Sequence, residues 1–377
     1  MKYIHAFLQV PGMSYQILQK IWQGFGDWRY PWEKASLRDF EVVGLKGDIA
    51  QRIVEARGSF DVEGAAAGLW GRDIFLVGRE SEEYPEILKT IAEPPFLLYR
   101  KGMPLHQLPE GVAVVGTRVP SAYGERMSYD ISEKLGLCGF TIVSGLAFGV
   151  DAAAHLAAVQ SGYPTIAVLA SGIDKVTPTS HTSLAKMILE KGGTLLSEYP
   201  PGLVAMKHHF LWRNRIISGL CKATIVVEAQ SKSGALVTAA HALEQKRKVF
   251  ALVGDIDRAQ AKGCLQLLKN SHAEALYDLS QIDAISKKIQ PALSGFENDS
   301  NELSNKILRF IKRKNSFDEL CSSLQEESSA ILSATAILEI QGMLERDAYG
   351  YFTLTDMGKK HRDDFIRVGA PENSDMV

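Results

Sequence analysis

A cationic and aromatic stretch lies between Ser197 and Ala235 of this chain. No Asp or Glu occurs between Glu198 and Glu228. Basic side chains interleave there with aromatic ones: Lys207, His208, His209, Arg213, Arg215 and Lys222, with Phe210 and Trp212. Single-stranded nucleic acids need this combination, because cations bind phosphates and flat rings stack on unpaired bases. The stretch therefore predicts a binding site for a single-stranded nucleic acid.

The rest of the composition restricts where such a site operates. The formal net charge is −2, so the basic stretch is a local patch on a near-neutral protein. No apolar run reaches the ~18 residues typical of a membrane span, and MKYIHAFLQVPGM is too short and mixed for a signal peptide. The cysteines are far apart in sequence, which predicts reduced thiols in a cytoplasmic protein and no zinc site: Cys138, Cys221, Cys264 and Cys321.

The elements that position the stretch form a regular alternation in the middle of the chain. Continuous apolar, β-branched runs recur, with helical patterns such as DAAAHLAAVQSG between them: Val112–Val115, Thr141–Val143, Thr165–Leu169, Thr194–Leu196, Thr224–Val227 and Val249–Val253. Continuous runs are typical of strands buried on both faces. The alternation predicts an α/β fold with a Rossmann-like, doubly wound parallel sheet.

The loops that follow the strands of such a sheet meet at one edge, where ligands bind. Here they are rich in small residues, as in Gly116-Thr117-Arg118 and Ser144-Gly145-Leu146. Small residues allow a ligand backbone to approach, and exposed N–H groups bind anions. We therefore expect Arg118 on the same rim as the basic stretch.

Five segments are predicted along the chain. Residues 1–70 form a small helical domain of SAM or helix-hairpin-helix type, with packing favoured over phosphate binding. Residues 71–283 form the Rossmann-like core, 284–301 a linker, 302–358 a winged-helix-like domain and 359–377 a tail. No Lys or Arg occurs between Lys314 and Arg346, so the last domain is expected to bind a protein partner and not a DNA groove.

Motifs of the common enzyme classes are absent from the sequence. GTRVPSAYG has Arg118 and Pro120 where a dinucleotide fingerprint needs glycines, and no acidic residue for a ribose follows the second strand. No phosphate-binding G-x-x-x-x-G-K-[ST] loop, H-E-x-x-H or G-x-S-x-G motif occurs. We expect no cofactor, no metal and no catalytic turnover.

An ordered set of motifs resembles the DNA-processing protein A family. The motifs are VVGTR, VSGLAFGVDAAAH, TIAVLASGID, LLSEYPPG, HHFLWRNRIISGL, VVEAQSKSGALVTA and KGCLQLL, and they span the middle domain. The resemblance implies a Rossmann-like core that binds single-stranded DNA. It also implies a homodimer that protects incoming DNA and hands the strand to the RecA recombinase in natural transformation.

The family's motif residues transfer to particular positions of this chain. Its arginine after the first strand falls on Arg118, its lysine on Lys207, and its R-N-R on Arg213, Asn214 and Arg215. Two positions differ: Phe148 stands where many members have Lys or Arg, and Thr179 replaces a lysine that Lys175 partly substitutes. The predicted DNA-binding residues are Gly116, Thr117, Arg118, Ser144, Gly145, Phe148, Lys175, Lys207, His209, Arg213, Asn214, Arg215, Ser233 and Gly234.

Three alternatives accompany this interpretation. The same sheet topology occurs in the cytokinin-activating phosphoribohydrolases, but the catalytic Glu of their loop has no counterpart after Thr238. One arginine of the R-N-R segment is expected to bond Glu198 or Glu228 instead of DNA. The segment Lys262–Asn270 is predicted either to form a dimer interface or to pack its leucines on the sheet.

Overall fold

A computed structural model describes residues 1–45, 47–283, 285, 303–304, 306–311, 314–324, 326, 328–340, 343–347, 350–356 and 358–359. The chain splits into two compact units, Met1–Ile289 and Gln290–Val377. Apart from Ile285 and Lys359, the predicted linker and tail lie outside the described residues. Among the described residues, no helix is long and apolar enough to span a bilayer.

The first unit begins with a cluster of short helices. Their starts follow from capping side chains, since Ser14 accepts a hydrogen bond from the Ile17 N–H and Asp61 accepts one from the Gly64 N–H. The helices are α1 (Lys2–Leu8), α2 (Tyr15–Phe25), α3 (Arg29–Glu33), α4 (Leu37–Val42), α5 (Gly47–Arg57) and α6 (Val62–Trp70).

The described part of the chain contains one nine-stranded sheet, in the order β1-β2-β6-β5-β4-β3-β7-β8-β9. From β6 to β9 all neighbours are parallel, whereas β1 and β2 form an antiparallel edge. The Rossmann-like α/β class is therefore confirmed. The strands are β1 (Phe75–Gly78), β2 (Leu97–Gly102), β3 (Gly111–Val115), β4 (Thr141–Ser144), β5 (Thr165–Leu169), β6 (Thr194–Ser197), β7 (Cys221–Val226), β8 (Lys248–Leu252) and β9 (Glu274–Leu276).

Helices cover both faces of this sheet. Buried side chains of α8 and α9 pack against one face of β3 and β4, and those of α11, α12 and α13 pack against the other face. The N-terminal helices share a hydrophobic core with β2, β5 and α10, so they are part of the same unit. The helices of the sheet region are α7 (Glu86–Lys89), α8 (Ala122–Leu137), α9 (Val150–Ser161), α10 (Thr182–Glu190), α11 (Lys207–Gly219), α12 (Gly234–Glu244) and α13 (Lys262–Lys269).

The second unit has its own small core, which includes Ile307, Leu320, Ile331 and Phe352. Helical residues 303–304 and 306–310 precede α14 (Phe317–Leu324) and α15 (Ser328–Ile340). An antiparallel pair follows, β10 (Leu344–Arg346) with β11 (Phe352–Leu354). Helices followed by a hairpin agree with the winged-helix-like pattern expected from the sequence.

Candidate nucleic-acid interface

The carboxyl ends of the parallel strands bring five loops to one edge of the sheet. Residues 116–121 follow β3, 145–149 follow β4, 170–178 follow β5, 198–206 follow β6 and 227–233 follow β7. The predicted site residues lie on these loops, at the end of β4, along α11 and at the start of α12. The structure thus gathers them at the edge where α/β sheets bind ligands.

Arg118 is an exposed cation at this edge. Its guanidinium carbon lies 5.2 Å from the ring centroid of Phe210, in the first turn of α11. Within the described residues, no carboxylate forms an ion pair with Arg118 or Lys207. A phosphate at this place would meet a cation that has no competing anion.

Lys207 begins α11, and both Lys207 and His208 are exposed. The N-terminus of a helix carries unpaired N–H groups and a partial positive charge, so this end attracts anions. The Met206 N–H donates to Nδ1 of His209 at 3.3 Å. His209 itself is buried and stacks on Tyr199, with ring centroids 4.2 Å apart. Burial lowers the pKa of His209, so the ring adds no charge at neutral pH.

Arg213 lies beneath the loops rather than on them. It is 4% exposed, and its guanidinium donates to the carbonyl oxygens of Gly145, at 2.8 Å, and of Val168. Burial lowers the pKa of Arg213 to about 10, and the nearby Asp151 carboxylate opposes that effect. The side chain is therefore still charged at neutral pH and joins the ends of β4 and β5.

Asp151 completes this arrangement and was not identified from the sequence as a site residue. Its carboxylate accepts hydrogen bonds from the N–H groups of Gly145, at 3.1 Å, and Ala147, at 3.3 Å. Burial raises the pKa of Asp151, while the charge of Arg213 lowers it. The available signal was an acidic residue in the first turn of a helix directly after a glycine-rich loop.

Arg215 and Asn214 bond two other loops. Arg215 donates to both carboxylate oxygens of Glu198, at 2.6 and 2.9 Å, and its guanidinium carbon lies 4.3 Å from the Trp212 ring centroid. The prediction that one arginine of this segment bonds Glu198 or Glu228 is thereby confirmed. The Asn214 amide donates to the Gly234 carbonyl at 3.3 Å, which holds the start of α12.

The remaining predicted residues divide into exposed and buried groups. Phe148 is 48% exposed, with its ring edge-to-face to His181 at 4.9 Å, and Lys175 is exposed in the loop after β5. Ser144 is buried and donates to the Val114 carbonyl at 2.7 Å. The others lie in the loops after β3 and β7 or, for the last of them, at the first residue of α12: Gly116, Thr117, Ser233 and Gly234.

Lys222 does not belong to this interface. It follows the first residue of β7, so it lies at the opposite edge of the sheet, where it pairs with Glu110 at 3.0 Å. Sequence proximity placed it in the basic stretch, but the direction of the strand separates it from Lys207.

Glu228 occupies the point where the strand order reverses, between β3 and β7. Its carboxylate accepts hydrogen bonds from the Ser121 N–H, at 2.9 Å, and the Ser121 hydroxyl, at 2.6 Å. Ser121 is the N-cap residue of α8. In dinucleotide-binding folds, a phosphate lies at the N-terminus of the helix in this position. Here the Glu228 carboxylate of the chain itself is bonded at the start of α8, so this helix end is not free to hold an anion. No cluster of potential metal ligands occurs among the described residues.

A family model described as DNA recombination-mediator protein A matches residues 75–289. Protein Smf from Synechocystis sp. is 36% identical over 282 residues, which cover 74% of this chain and 70% of that protein. The X-ray structure of DNA processing protein A from Streptococcus pneumoniae is 31% identical with a TM-score of 0.64, covering 75% of this chain and 97% of that one. A structure concerned with the single-stranded DNA binding mode of DNA processing protein A from Helicobacter pylori is 28% identical with a TM-score of 0.51. It covers 57% of this chain and 96% of that one.

Proposed function

The chain belongs to the DNA recombination-mediator protein A family, and from this premise we propose that it binds single-stranded DNA at the carboxyl edge of its sheet. We further propose that it protects incoming DNA and helps to load the RecA recombinase onto it during natural transformation or recombination. The Helicobacter pylori relative, with its described single-stranded DNA binding mode, supports the first part of this proposal.

The observation that carries the proposal is the grouping of Arg118, Phe210 and Lys207. The exposed Arg118 lies 5.2 Å from the Phe210 ring, and the exposed Lys207 precedes Phe210 by three residues, one turn away in α11. No carboxylate of the described residues pairs with either cation. A single strand offers phosphates and unstacked bases together, whereas a duplex hides its bases in the stack. The grouping therefore favours a single strand over a duplex.

We assign different roles to the accessible and the buried site residues. Arg118, Phe148, Lys175 and Lys207 are accessible to solvent and contact the strand directly. The buried group holds the loops in place through hydrogen bonds within the protein, and its members are Ser144, Gly145, His209, Arg213, Asn214 and Arg215. Gly116, Thr117, Ser233 and Gly234 provide loop backbone for the strand to approach.

The proposed action is binding without turnover. Thr238 lies within α12 and is followed by Ala239, Ala240 and His241, so this helix provides no carboxylate at the position that a phosphoribohydrolase would need. We propose that the active form is a homodimer and that its partners are single-stranded DNA and the RecA recombinase.

A salt series on matched oligonucleotides tests this function. Fluorescence anisotropy of the full chain on a labelled single strand, and on the same sequence as a duplex, should show tighter binding to the single strand. The logarithm of the affinity should fall linearly with the logarithm of salt concentration, since bound phosphates release counterions. Equal affinity for both forms, or an affinity that salt does not change, contradicts the proposal.

A further inference from the structure

An aromatic crevice lies beside the proposed DNA site, within the first unit. It has a volume of about 730 Å³, within the range of small-molecule sites. The chain from Leu8 to Leu18 forms one side, and residues 198–203 with the first turns of α11 form the other. The N-terminal helices are therefore needed to form it, and the sheet alone would present only an open edge.

Aromatic rings line this crevice from both sides. Tyr15 stacks on Phe96, with ring centroids 5.2 Å apart and an interplanar angle of 29°, and its centroid lies 6.2 Å from that of Trp212. Across the crevice, Tyr199 and His209 form a second stacked pair. Flat faces of this kind accept any nucleobase, since every base has a π-face.

The charge of the lining fits a base and not a phosphate or a cation. Glu198 provides the one carboxylate among the described lining residues, and both of its oxygens are bonded to Arg215. Lys207 lies outside the crevice, next to the lining residue His208. A neutral aromatic interior beside an exposed cation matches a nucleotide whose base enters and whose phosphate stays at the rim.

The first turns of α11 connect the crevice to the proposed interface. Phe210 faces Arg118, whereas His208 and Trp212, four residues apart and so on one side of the helix, line the crevice. Lys207 precedes both sets. A strand whose phosphate contacts Lys207 therefore passes the mouth of the crevice.

We propose that the crevice lined by Tyr15, Tyr199 and Trp212 holds one unstacked base of the DNA strand that Arg118 and Lys207 contact through its phosphates. This inference rests on the proposed function. It makes the N-terminal helices part of the DNA-binding surface.

An abasic scan tests it with the full chain. The shortest single strand that keeps full affinity, which leaves no room for a shift of register, is prepared in versions that each lack one base, and the affinity of each version is measured by anisotropy. We expect one position at which removal of the base weakens binding roughly five-fold or more, because this is the loss of affinity that corresponds to one base–aromatic stacking contact. Tyr15→Ala should weaken binding to the intact strand to a similar extent and should abolish the effect of that one abasic position. Tyr30→Ala, at an exposed tyrosine of α3 that does not line the crevice, should do neither.

A second pair of variants covers the case in which Tyr15→Ala disturbs the packing on Phe96. Gln16→Glu places a carboxylate at the exposed lining of the crevice, and Gln23→Glu places one on the same helix away from it. Only Gln16→Glu should weaken binding. If Arg118→Ala weakens binding while Tyr15→Ala and Gln16→Glu bind like the wild type, the crevice does not hold a base although the proposed function stands. If the wild type binds no single strand, both proposals are wrong.

Discussion

Arg213 donates a hydrogen bond from its buried guanidinium to the carbonyl oxygen of Gly145, at a distance of 2.8 Å. The N–H of the same glycine donates to Asp151, so both polar backbone groups of Gly145 are bonded to buried charged side chains. Two buried side chains of opposite charge, Arg213 and Asp151, hold the loop after β4 from beneath through hydrogen bonds to its backbone, while the exposed cations lie above it. A buried arginine thus supports a binding surface that it does not itself form.

The contact between Arg213 and Gly145 predicts that Gly145→Ala damages the protein. A Cβ atom at Gly145 would lie 2.5 Å from Nη2 of Arg213, so the guanidinium must move and lose its bonds. We expect the free energy of unfolding to fall by about 1–3 kcal/mol, the usual cost of overpacking. The affinity for single-stranded DNA should also fall. Gly234→Ala is the matched control, since a Cβ atom there would meet none of the described residues within 4 Å beyond its chain neighbours. Equal denaturation midpoints for the two variants would show that the loop adapts freely.

A second prediction concerns the exposed cations. Arg118→Ala and Lys207→Ala should each weaken single-strand binding about equally for all sequences, because phosphate contacts carry no base information. Each should also lower the slope of log affinity against log salt by about 0.7. Lys222→Ala, at the opposite sheet edge, should leave both quantities unchanged. Wild-type affinity and slope in both Arg118→Ala and Lys207→Ala, with the fold intact, would contradict the assignment.

The parallel strands and the exposed cations were predictable for local reasons. Runs such as Thr165–Leu169 are continuous and β-branched, which fits a strand buried on both faces, and β5 has the same bounds. Arg118 and Lys207 lie in stretches without nearby acids, so their lack of an ion partner among the described residues follows from composition. The antiparallel strands β1 and β2 were missed because they precede the regular alternation of strands and long helices, and the helix between them, α7, has only four residues.

The burial of Arg213 could not be predicted from the sequence. Lys207 and Arg213 lie in the same acid-free stretch, and which of them points into the protein depends on how α11 is rotated against the sheet. Tertiary packing sets that rotation, through contacts such as those of Ile216 and Ile217 with the core. Asp151 was missed for a different reason: its position in the first turn of α9 was visible, but its partners are the backbone amides of Gly145 and Ala147, which residue types do not reveal.

A third prediction is a loss of stability in acid that depends on His155. This side chain is fully buried, bonds Thr165 through Nδ1 at 2.7 Å, and has its pKa lowered by burial from 6.5 to about 3. Below pH 6.5 the unfolded chain binds a proton at His155 that the folded chain does not bind, so the free energy of unfolding falls as pH decreases from 6.5 toward 3. Between neutral pH and about pH 5, the protonation of His155 in the unfolded chain should lower the free energy of unfolding by about 2 kcal/mol.

Urea unfolding at both pH values measures this effect. His155→Gln removes the titrating group, so its free energy of unfolding should change less with pH than that of the wild type. The exposed His272→Gln should retain the wild-type pH dependence. An identical pH dependence in wild type and His155→Gln would mean that other groups cause the loss.

A fourth prediction concerns self-association through α13. Cys264 and Leu267 of this helix are buried against the sheet, whereas Leu265 and Leu268 are only partly buried. The second pair lies on one helical side; Leu268 also packs on the core beneath it, and the partly exposed surface of Leu265 and Leu268 is predicted to meet a second copy. Leu265→Arg should convert a dimer to a monomer in light scattering while Leu265→Met stays dimeric. A wild-type protein that is monomeric at all accessible concentrations would contradict the dimer.

The last prediction is that the second unit contributes little to single-strand binding. Its helix α15 contains no Lys or Arg, and it carries Glu339. The preceding Glu326 pairs with Lys306 at 3.0 Å, so that cation is already neutralised. Acidic groups near a phosphate cost energy, and screening at physiological salt limits the reach of distant cations to about 8 Å. A chain that ends at Pro291 should therefore keep nearly the full affinity and salt slope of the intact protein.

The full chain with Glu326→Gln serves as a control for the charge argument, and it should also bind like the wild type. If the shortened chain stays folded in the same oligomeric state but loses most of its affinity, the second unit is a DNA-binding element.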